Sequence, residues 1–470
     1  MRPRVEDENQ RLERTVLSPL RQTGTGYYVF ILFLLAIVAW GFYAYITQIY
    51  YGLVVTGMRD VVMWGLYLVN FVFFIGISHA GTLISAILRV TNAGWRTPIT
   101  RMAELITVVA ISIGALMPVI DLGHPERVWH LIIYGRFQSP LLWDIISIAS
   151  YLVGSLIYLY LPLIPDFALM RDKLGRSAST LKLKVYTLLA IGWKNTPEQR
   201  HRLEKAIGIM AVTIIPIAIS VHTVVSYVFS MTLRPGWDST VFGIYFVIGA
   251  IFSGIASILI VMAIFRKFFH FEEYITERHF RNLGYLLLTT LLIYFYLTLG
   301  EYLTVGFKLE GEEKHLLTLL LTGKNAVWFW LFIVGGLVIP GVLLFIRRGP
   351  IIPRIIIASI LINVTMWIKR FIIIIPTLQV PLMPFEFGSY TPTWVEWSIT
   401  AGAFAAFVLI FAVFAKLVPL ISIWEVAAES ETAPSHRLAS LIERLGMAPK
   451  EIETLINRLI SEKGRDRTRQ

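Results

Sequence analysis

The sequence predicts an all-α polytopic membrane protein of about ten transmembrane helices. Three observations predict it. Of the 470 residues, 56% are hydrophobic and only 16% charged, against roughly 25% charged in soluble domains. Apolar stretches of at least about 18 residues recur along the chain, each long enough to cross a bilayer as a helix. Basic residues gather on alternate loops. Helices are required because lipid offers backbone groups no other partner.

The spans fall near 29–49, 62–88, 102–121, 141–164, 206–232, 240–265, 283–304, 326–346, 353–375 and 394–420. With the N-terminus inside, the inward segments carry 32 Lys and Arg and the outward loops carry seven. This positive-inside bias puts both termini in the cytoplasm. It also accounts for the net charge of +11, so no nucleic-acid partner is expected. The polar first 28 residues lack the apolar core and cleavage site of a secretory signal and read as a retained cytoplasmic tail.

A candidate internal repeat organises the rest. Spans two to five and six to nine each form a four-helix set, and in each set the second helix ends outward with an acid, Asp121 or Glu301. The expected organisation is a tail (1–28), a first helix with its outer loop (29–61), a first four-helix bundle (62–232), a second (233–375), a tenth-helix region (376–420) and a cytoplasmic tail (421–470). "STLKLKVYTLLAIGW" (179–193) suits an interfacial amphipathic helix. The C-terminal tail reads as two short amphipathic helices split near Gly446 and Pro449.

Chemistry concentrates in a few places. The chain has no cysteine, which removes disulfides, thiolate catalysis and cysteine-held iron–sulfur clusters. "VIDLGHPERVWH" (119–130) puts Asp121, His124, Glu126, Arg127 and His130 at the outer end of span three. Gly123 suits the left-handed position that closes a helix, and Pro125 pushes His124 out of helical geometry. A carboxyl at a helix C-terminus faces the negative end of the helix dipole, a setting that suits a group releasing and taking up protons. The plainer reading is a helix stop with Asp121 or Glu126 paired to Arg127.

Within the spans, His79 is flanked on one face by Gly76 and Thr82, and His222 by Ala218 and Ser226. Small and polar stripes of this kind turn a histidine toward protein rather than lipid. Lys369 and Arg370 lie toward the outer end of span nine, where a buried charge needs a partner, and Glu301 is the expected partner of Arg370. Glu104 stands beside Arg101 near the inner end of span three and reads as an interfacial ion pair or a proton-carrying group. The stripe Gly249, Ser253, Ser257 reads as helix packing. Two lone histidines on separate helices are also compatible with one b-type haem, but not with the two-haem arrangement of a quinol-oxidising cytochrome b.

These segments together resemble the NrfD-like family of polysulfide-reductase membrane subunits, closest to the larger ActC-type subunit of alternative complex III. The resemblance rests on "ISHAGT", "DLGHPER", "SVHTVVSYVFSMTLRPGWDSTVFGIYFVIGAIFSG", "LGEYLTVGF" and "WIKRFIIIIPTL", and covers roughly residues 30–420. It implies a subunit of a respiratory quinol oxidoreductase, not catalytically complete alone, in a bacterial inner membrane. The implied quinone site lies in the first bundle near the external face, and menaquinone is expected over ubiquinone. Electrons would pass to iron–sulfur clusters of an external partner, beside other membrane subunits that can include a related NrfD-like chain. No haem or metal is expected here. The family's histidine and aspartate map onto His79 and Asp121 as the catalytic pair. His124 and Arg127 are added as quinone-binding residues, and Glu104, His222, Glu301, Lys369 and Arg370 as a candidate proton pathway. The alternatives are a secondary transporter, which predicts proline- or glycine-broken helices at matching places in two halves, and a passive anchor.

Overall fold

The computed structural model describes residues 16, 20, 23–174, 180–346, 348–381, 383 and 386–426. The expected amphipathic helices of the C-terminal tail, and nearly all of the N-terminal tail, lie outside the described residues. Every regular element among the described residues is helical, and ten helices are long and apolar enough to cross a membrane. They are α1 (Thr25–Tyr51), α2 (Leu66–Val90), α3 (Thr97–Asp121), α4 (Pro140–Tyr160), α5 (Pro197–Ser230), α6 (Phe242–Phe268), α7 (Glu277–Lys308), α8 (Ala326–Phe345), α9 (Ile351–Gln379) and α10 (Trp394–Leu417). The chain is a multi-pass membrane protein. "Inner" below denotes the side of the basic loops.

Several helices outrun their expected spans; α7 starts six residues early, at Glu277, and ends at Lys308. Hydropathy marks where lipid ends, whereas the hydrogen-bond ladder continues into the polar boundary until a cap stops it. Here Thr276 and His279 form a capping box at one end, and Leu309 adopts a left-handed conformation at the other. The expected interfacial helix appears as Thr180–Leu189, with Leu181 and Leu188 strongly exposed.

Helix α2 is the hub. All of its residues from Val69 to Ala86 are buried, because α3, α5, α6, α9 and α10 pack around it. Small residues allow these approaches. A methyl group added at Gly81 would collide with the Ala103 carbonyl and Thr107 on α3, and one at Gly254 on α6 would collide with Ala80 and lie 3.1 Å from the Ile77 carbonyl. Helices α1 and α10 form a separate pair crossing at Gly41 and Gly402, with most of α1 facing outward.

Proline does not break the helices as a transporter-like design would require. Pro118 and Pro216 sit inside continuous α3 and α5. Pro340 acts differently: having no N–H, it leaves the Gly336 carbonyl without its usual partner. The turn just before it, Phe332–Val338, is π-helical, and an added Cβ at Gly336 would lie 2.5 Å from Thr365 Oγ1 of α9. Wide turns of this type absorb such a mismatch and occur often beside functional groups.

The α2–α6 seam is testable. Gly254→Val should cost about 1–3 kcal/mol through overpacking and lower the melting temperature of the detergent-solubilised protein by several degrees. Gly208→Val on α5, where an added Cβ meets nothing within 4 Å, should leave it unchanged.

Candidate functional site

The buried polar residues fall in an outer cluster around Asp121 and in a line through the centre of the fold. At the outer cluster, α3 stops as the sequence predicts: Gly123 has φ +69° and Leu122 N–H donates to the Pro118 carbonyl. Gln48 of α1 donates to the Ile120 carbonyl at 2.8 Å, and Tyr67 of α2 donates to Gln48 at 2.5 Å. Asp121 is half-buried beside these groups, and its Oδ1 is buried with no hydrogen-bond partner. Its electrostatic neighbours are Tyr67 and Glu396.

Glu396 is fully buried near the start of α10, where it receives the Gly57 N–H at 2.7 Å, the Thr393 N–H at 3.0 Å and the Tyr390 hydroxyl. Tyr390 in turn accepts the Leu66 N–H at 2.8 Å. Sequence reading missed Glu396, although "TPTWVE" carries the capping-box spacing that marks it.

The turn after Asp121 is open. His124 and Glu126 are 62% and 66% exposed and lie 2.9 Å apart, Nδ1 to Oε1, so Glu126 takes His124 rather than the expected Arg127 as its hydrogen-bond partner. A bond from its own backbone amide, then His124, holds the Glu126 carboxyl below its usual range. Beyond it, Trp129, Ile132, Ile133, Tyr134 and Phe137 are 62–77% exposed, an apolar patch next to the acid.

The central line starts with the two histidines. His79 and His222 are buried, their rings 4.2 Å apart at 57°. Rings in direct contact leave no gap for a haem plane between them. Both nitrogens of His79 and Nδ1 of His222 lack hydrogen-bond geometry with any group, though the Ala218 backbone lies beside both rings. Beneath them, Thr107 and Tyr151 donate to the Ser78 carbonyl at 2.7 and 2.9 Å. Thr107 on α3 is therefore level with the histidines, and Asp121 is fourteen residues further along, on the order of 20 Å at 1.5 Å per residue. The structure does not bring His79 and Asp121 together.

Arg370 and Lys369 serve different neighbourhoods. Arg370 is buried, stacked over Phe246 at 5.4 Å, with its guanidinium against Gly76 and Gly249 and near His222 and Tyr294. It forms no ion pair with Glu301, contrary to the expectation. Lys369 holds that place instead. It donates to Tyr302 at 2.8 Å, is ringed by Tyr245, Tyr302 and Phe332 at 4.9–5.2 Å, and shares with Glu301 a cavity of 40 Å³. Glu301 accepts from Ser239 at 2.6 Å. Consecutive helix residues point about 100° apart, so one of the two cations faces α2 and α5 while the other faces α7.

Tyr294 and Tyr245 bridge the two, stacked at 4.7 Å, with Tyr245 also 3.0 Å from Thr298. Sequence reading missed these tyrosines. Tyr294, Thr298 and Glu301 nonetheless recur at helical spacing along α7, and Gly249, read as packing, is the gap into which Arg370 fits.

On the inner side, Glu104 is buried and accepts from Ser85 at 2.6 Å, with Tyr158 3.4 Å from the same hydroxyl. Its expected partner Arg101 pairs instead with Asp166 at 2.5 Å, and Arg89 pairs with Glu425 at 2.6 Å. Among the described residues no group of three or more His, Asp or Glu side chains is placed to hold a metal ion.

Among the described residues, ten helices long and apolar enough to cross a membrane enclose buried acids, histidines and cations, which defines a multi-pass integral membrane protein with ionisable groups in its interior. Residues 54–381 match the family described as polysulphide reductase, NrfD, and the chain belongs to that family. Among its relatives, a selenate reductase subunit of Mesobacillus selenatarsenatis is 27% identical over 78% of this chain and 88% of its own length. The Hdr-like menaquinol oxidoreductase integral membrane subunit of Archaeoglobus fulgidus is 25% identical over 84% and 94%. The menaquinone reductase integral membrane subunit of Nitratidesulfovibrio vulgaris is 26% identical over 81% and 88%.

The outer cluster yields a stability test. Tyr390→Phe strips a hydrogen bond from buried Glu396 and from the Leu66 amide, and should cost about 1–3 kcal/mol. Thermal unfolding in detergent should show it, with Tyr50→Phe at an exposed tyrosine as the silent control.

Proposed function

We propose that this chain is the quinone-binding membrane subunit of a respiratory menaquinol oxidoreductase, related to the ActC-type subunit of alternative complex III, in a bacterial inner membrane with both termini cytoplasmic. The observation that carries the reading is Asp121, an acid at the outer end of α3 with a buried, unpartnered oxygen, in a chain whose relatives include proteins named for menaquinol and menaquinone. The site belongs to the first bundle, residues 62–232, at its external face.

Oxidising a quinol releases two electrons and two protons, and the ring hydroxyls need hydrogen-bond partners and a proton acceptor. Asp121 accepts a hydroxyl proton, with His124 and Arg127 at the rim of the same turn and Tyr67 beside the acid. Electrons leave to iron–sulfur clusters of a peripheral partner seated over the apolar patch from Trp129 to Phe137, and the protons leave at the external face. His79 stands too deep to touch the same ring, so its role is moved from ring contact to the central line.

That line supports a second activity, proton translocation. Glu104, His79, His222, Arg370, Lys369 and Glu301 run from the inner to the outer side, with Thr107, Tyr151, Tyr294 and Tyr245 between them. The two touching imidazoles carry a proton between α2 and α5, and the tyrosines carry it on toward Lys369 and Glu301 in the second bundle, residues 233–375.

In the assembled complex, Asp121→Asn should weaken quinol-analogue binding and lower quinol-driven electron transfer by ~10²-fold, the scale of losing a general base, with subunit content unchanged. His79→Ala should keep analogue binding. Wild-type binding in Asp121→Asn would reject Asp121 as the quinone residue, and no binding in wild type would favour a passive anchor or a transporter. Lys369→Met should retain electron transfer from quinol while lowering the number of protons moved per electron in proteoliposomes.

A further inference from the structure

The inner ends of α2 and α3 hold five ionisable side chains on four elements. Arg89 is on α2, Arg101 and Glu104 on α3, Asp166 on the helix Ile164–Leu174, and Glu425 on the segment that folds back after α10. Glu104, Asp166, Glu425 and Arg101 are buried, and Arg89 is only 13% exposed. They act on one another: Glu104 lies in the field of Arg89, Glu425 and Arg101, and Asp166 in that of Arg101 and Glu425. Ser85 and Tyr158 are the other polar groups facing Glu104.

Three carboxyls to two guanidiniums make the cluster neutral only when one proton is aboard. A buried, uncompensated charge costs several kcal/mol, so the protonated state is the one the fold favours. Arg101 is fixed by further bonds to the carbonyls of Pro419 at 2.9 Å and Pro162 at 3.0 Å, so the movable element is the proton.

One member of the cluster meets a cavity. Asp166, 1% exposed, forms part of the wall of a 320 Å³ cavity on the inner side, together with Arg171, Asp172, Trp193, Arg200 and Trp424. Both Asp166 carboxylate oxygens are buried and, apart from the Arg101 ion pair and the neighbouring Ile423 backbone, have no hydrogen-bond partner. A water occupies ~30 Å³ in the liquid, so the cavity has room for several. Glu104 is one helical turn from Arg101 on α3 and is bonded to Ser85 of α2, the helix that also carries His79.

We propose that this cluster stores one exchangeable proton and that Asp166 is the group through which it exchanges with water in the inner cavity, making the cavity the inner mouth of the proton line. The inference rests on the proton-translocation reading above. Nothing is oxidised or reduced in the step: a proton moves from hydrated solvent to the Asp166 carboxylate and on to Glu104, and the reverse step restores the charge.

The test uses the intact complex in proteoliposomes, driven by a quinol analogue, with proton movement and electron transfer recorded together and subunit content checked. Asp166→Asn keeps the size and the Arg101 contact but loses the carboxyl, and should reduce protons translocated per electron at least ~10-fold. Asp166→Glu should restore most of it. Glu277→Gln, at an acid that is 54% exposed and away from this cavity, should behave as wild type. Glu104→Gln leaves two acids to two bases and should assemble yet lose transfer, which decides the matter if Asp166→Asn fails to assemble. Transfer within about twofold of wild type in Asp166→Asn or in Glu104→Gln overturns the proposal while leaving the proton line standing. Absence of translocation in wild type, with quinol oxidation intact, removes both the proton line and this mouth but spares the quinone site.

Discussion

A helix enclosed by protein from Val69 to Ala86 is the constraint on which this molecule depends. Because α2 is enclosed along its whole middle, its side chains are freed from the rule that intramembrane residues be apolar. Asn70, Ser78, His79, Thr82 and Ser85 are all buried there, each facing another helix rather than hydrocarbon. The neighbours must then supply polar partners or accept unsatisfied groups, at a cost in stability that only an enclosed position makes tolerable. Tyr151 and Thr107 meet the backbone carbonyl of Ser78, Trp367 donates to Asn70, and the two imidazoles are left with each other. The polar line exists because α2 is central.

The two outer acids, Glu301 and Asp121, sit in unlike surroundings. Glu301 has a serine donor, a lysine in the same small cavity and the helix Gly311–Leu321 over it. Asp121 has a buried oxygen with no donor, carboxylate Glu396 in its field and an open turn beyond it. The first arrangement steadies a charge inside the protein, and the second leaves an acid in want of a partner.

Much of this was legible in the sequence, and the remainder was hidden for definable reasons. The ten spans follow from hydropathy, and the end of α3 follows from Gly123 and Pro125, because both signals are local. The partners of Lys369 and Arg370 were not legible, since the choice between two adjacent residues depends on the rotation of α9 and not on composition. Arg101 was assigned to Glu104 because they are one turn apart, whereas the fold supplies Asp166 from a helix sixty residues away. Tyr245, Tyr294 and Glu396 were readable in principle: two from polar spacing along helices, and one from a capping box inside an apolar run. The depth difference between His79 and Asp121 was also in the sequence, because α2 and α3 run antiparallel and their positions can be counted.

The contact between Gly254 and Ala80 has a consequence for how such a molecule can move. Two helices that approach within a methyl group of collision cannot slide without one backbone climbing over the other's side chain. The close approach at this seam therefore resists sliding of α6 along α2. On the proposed proton line, a change in which side a proton sees then falls to side-chain rotation and water rather than to sliding of α2 against α6. Rotamer changes at exposed positions take picoseconds to nanoseconds, and enclosed ones are slower, while typical enzyme turnover runs at 1–10³ per second.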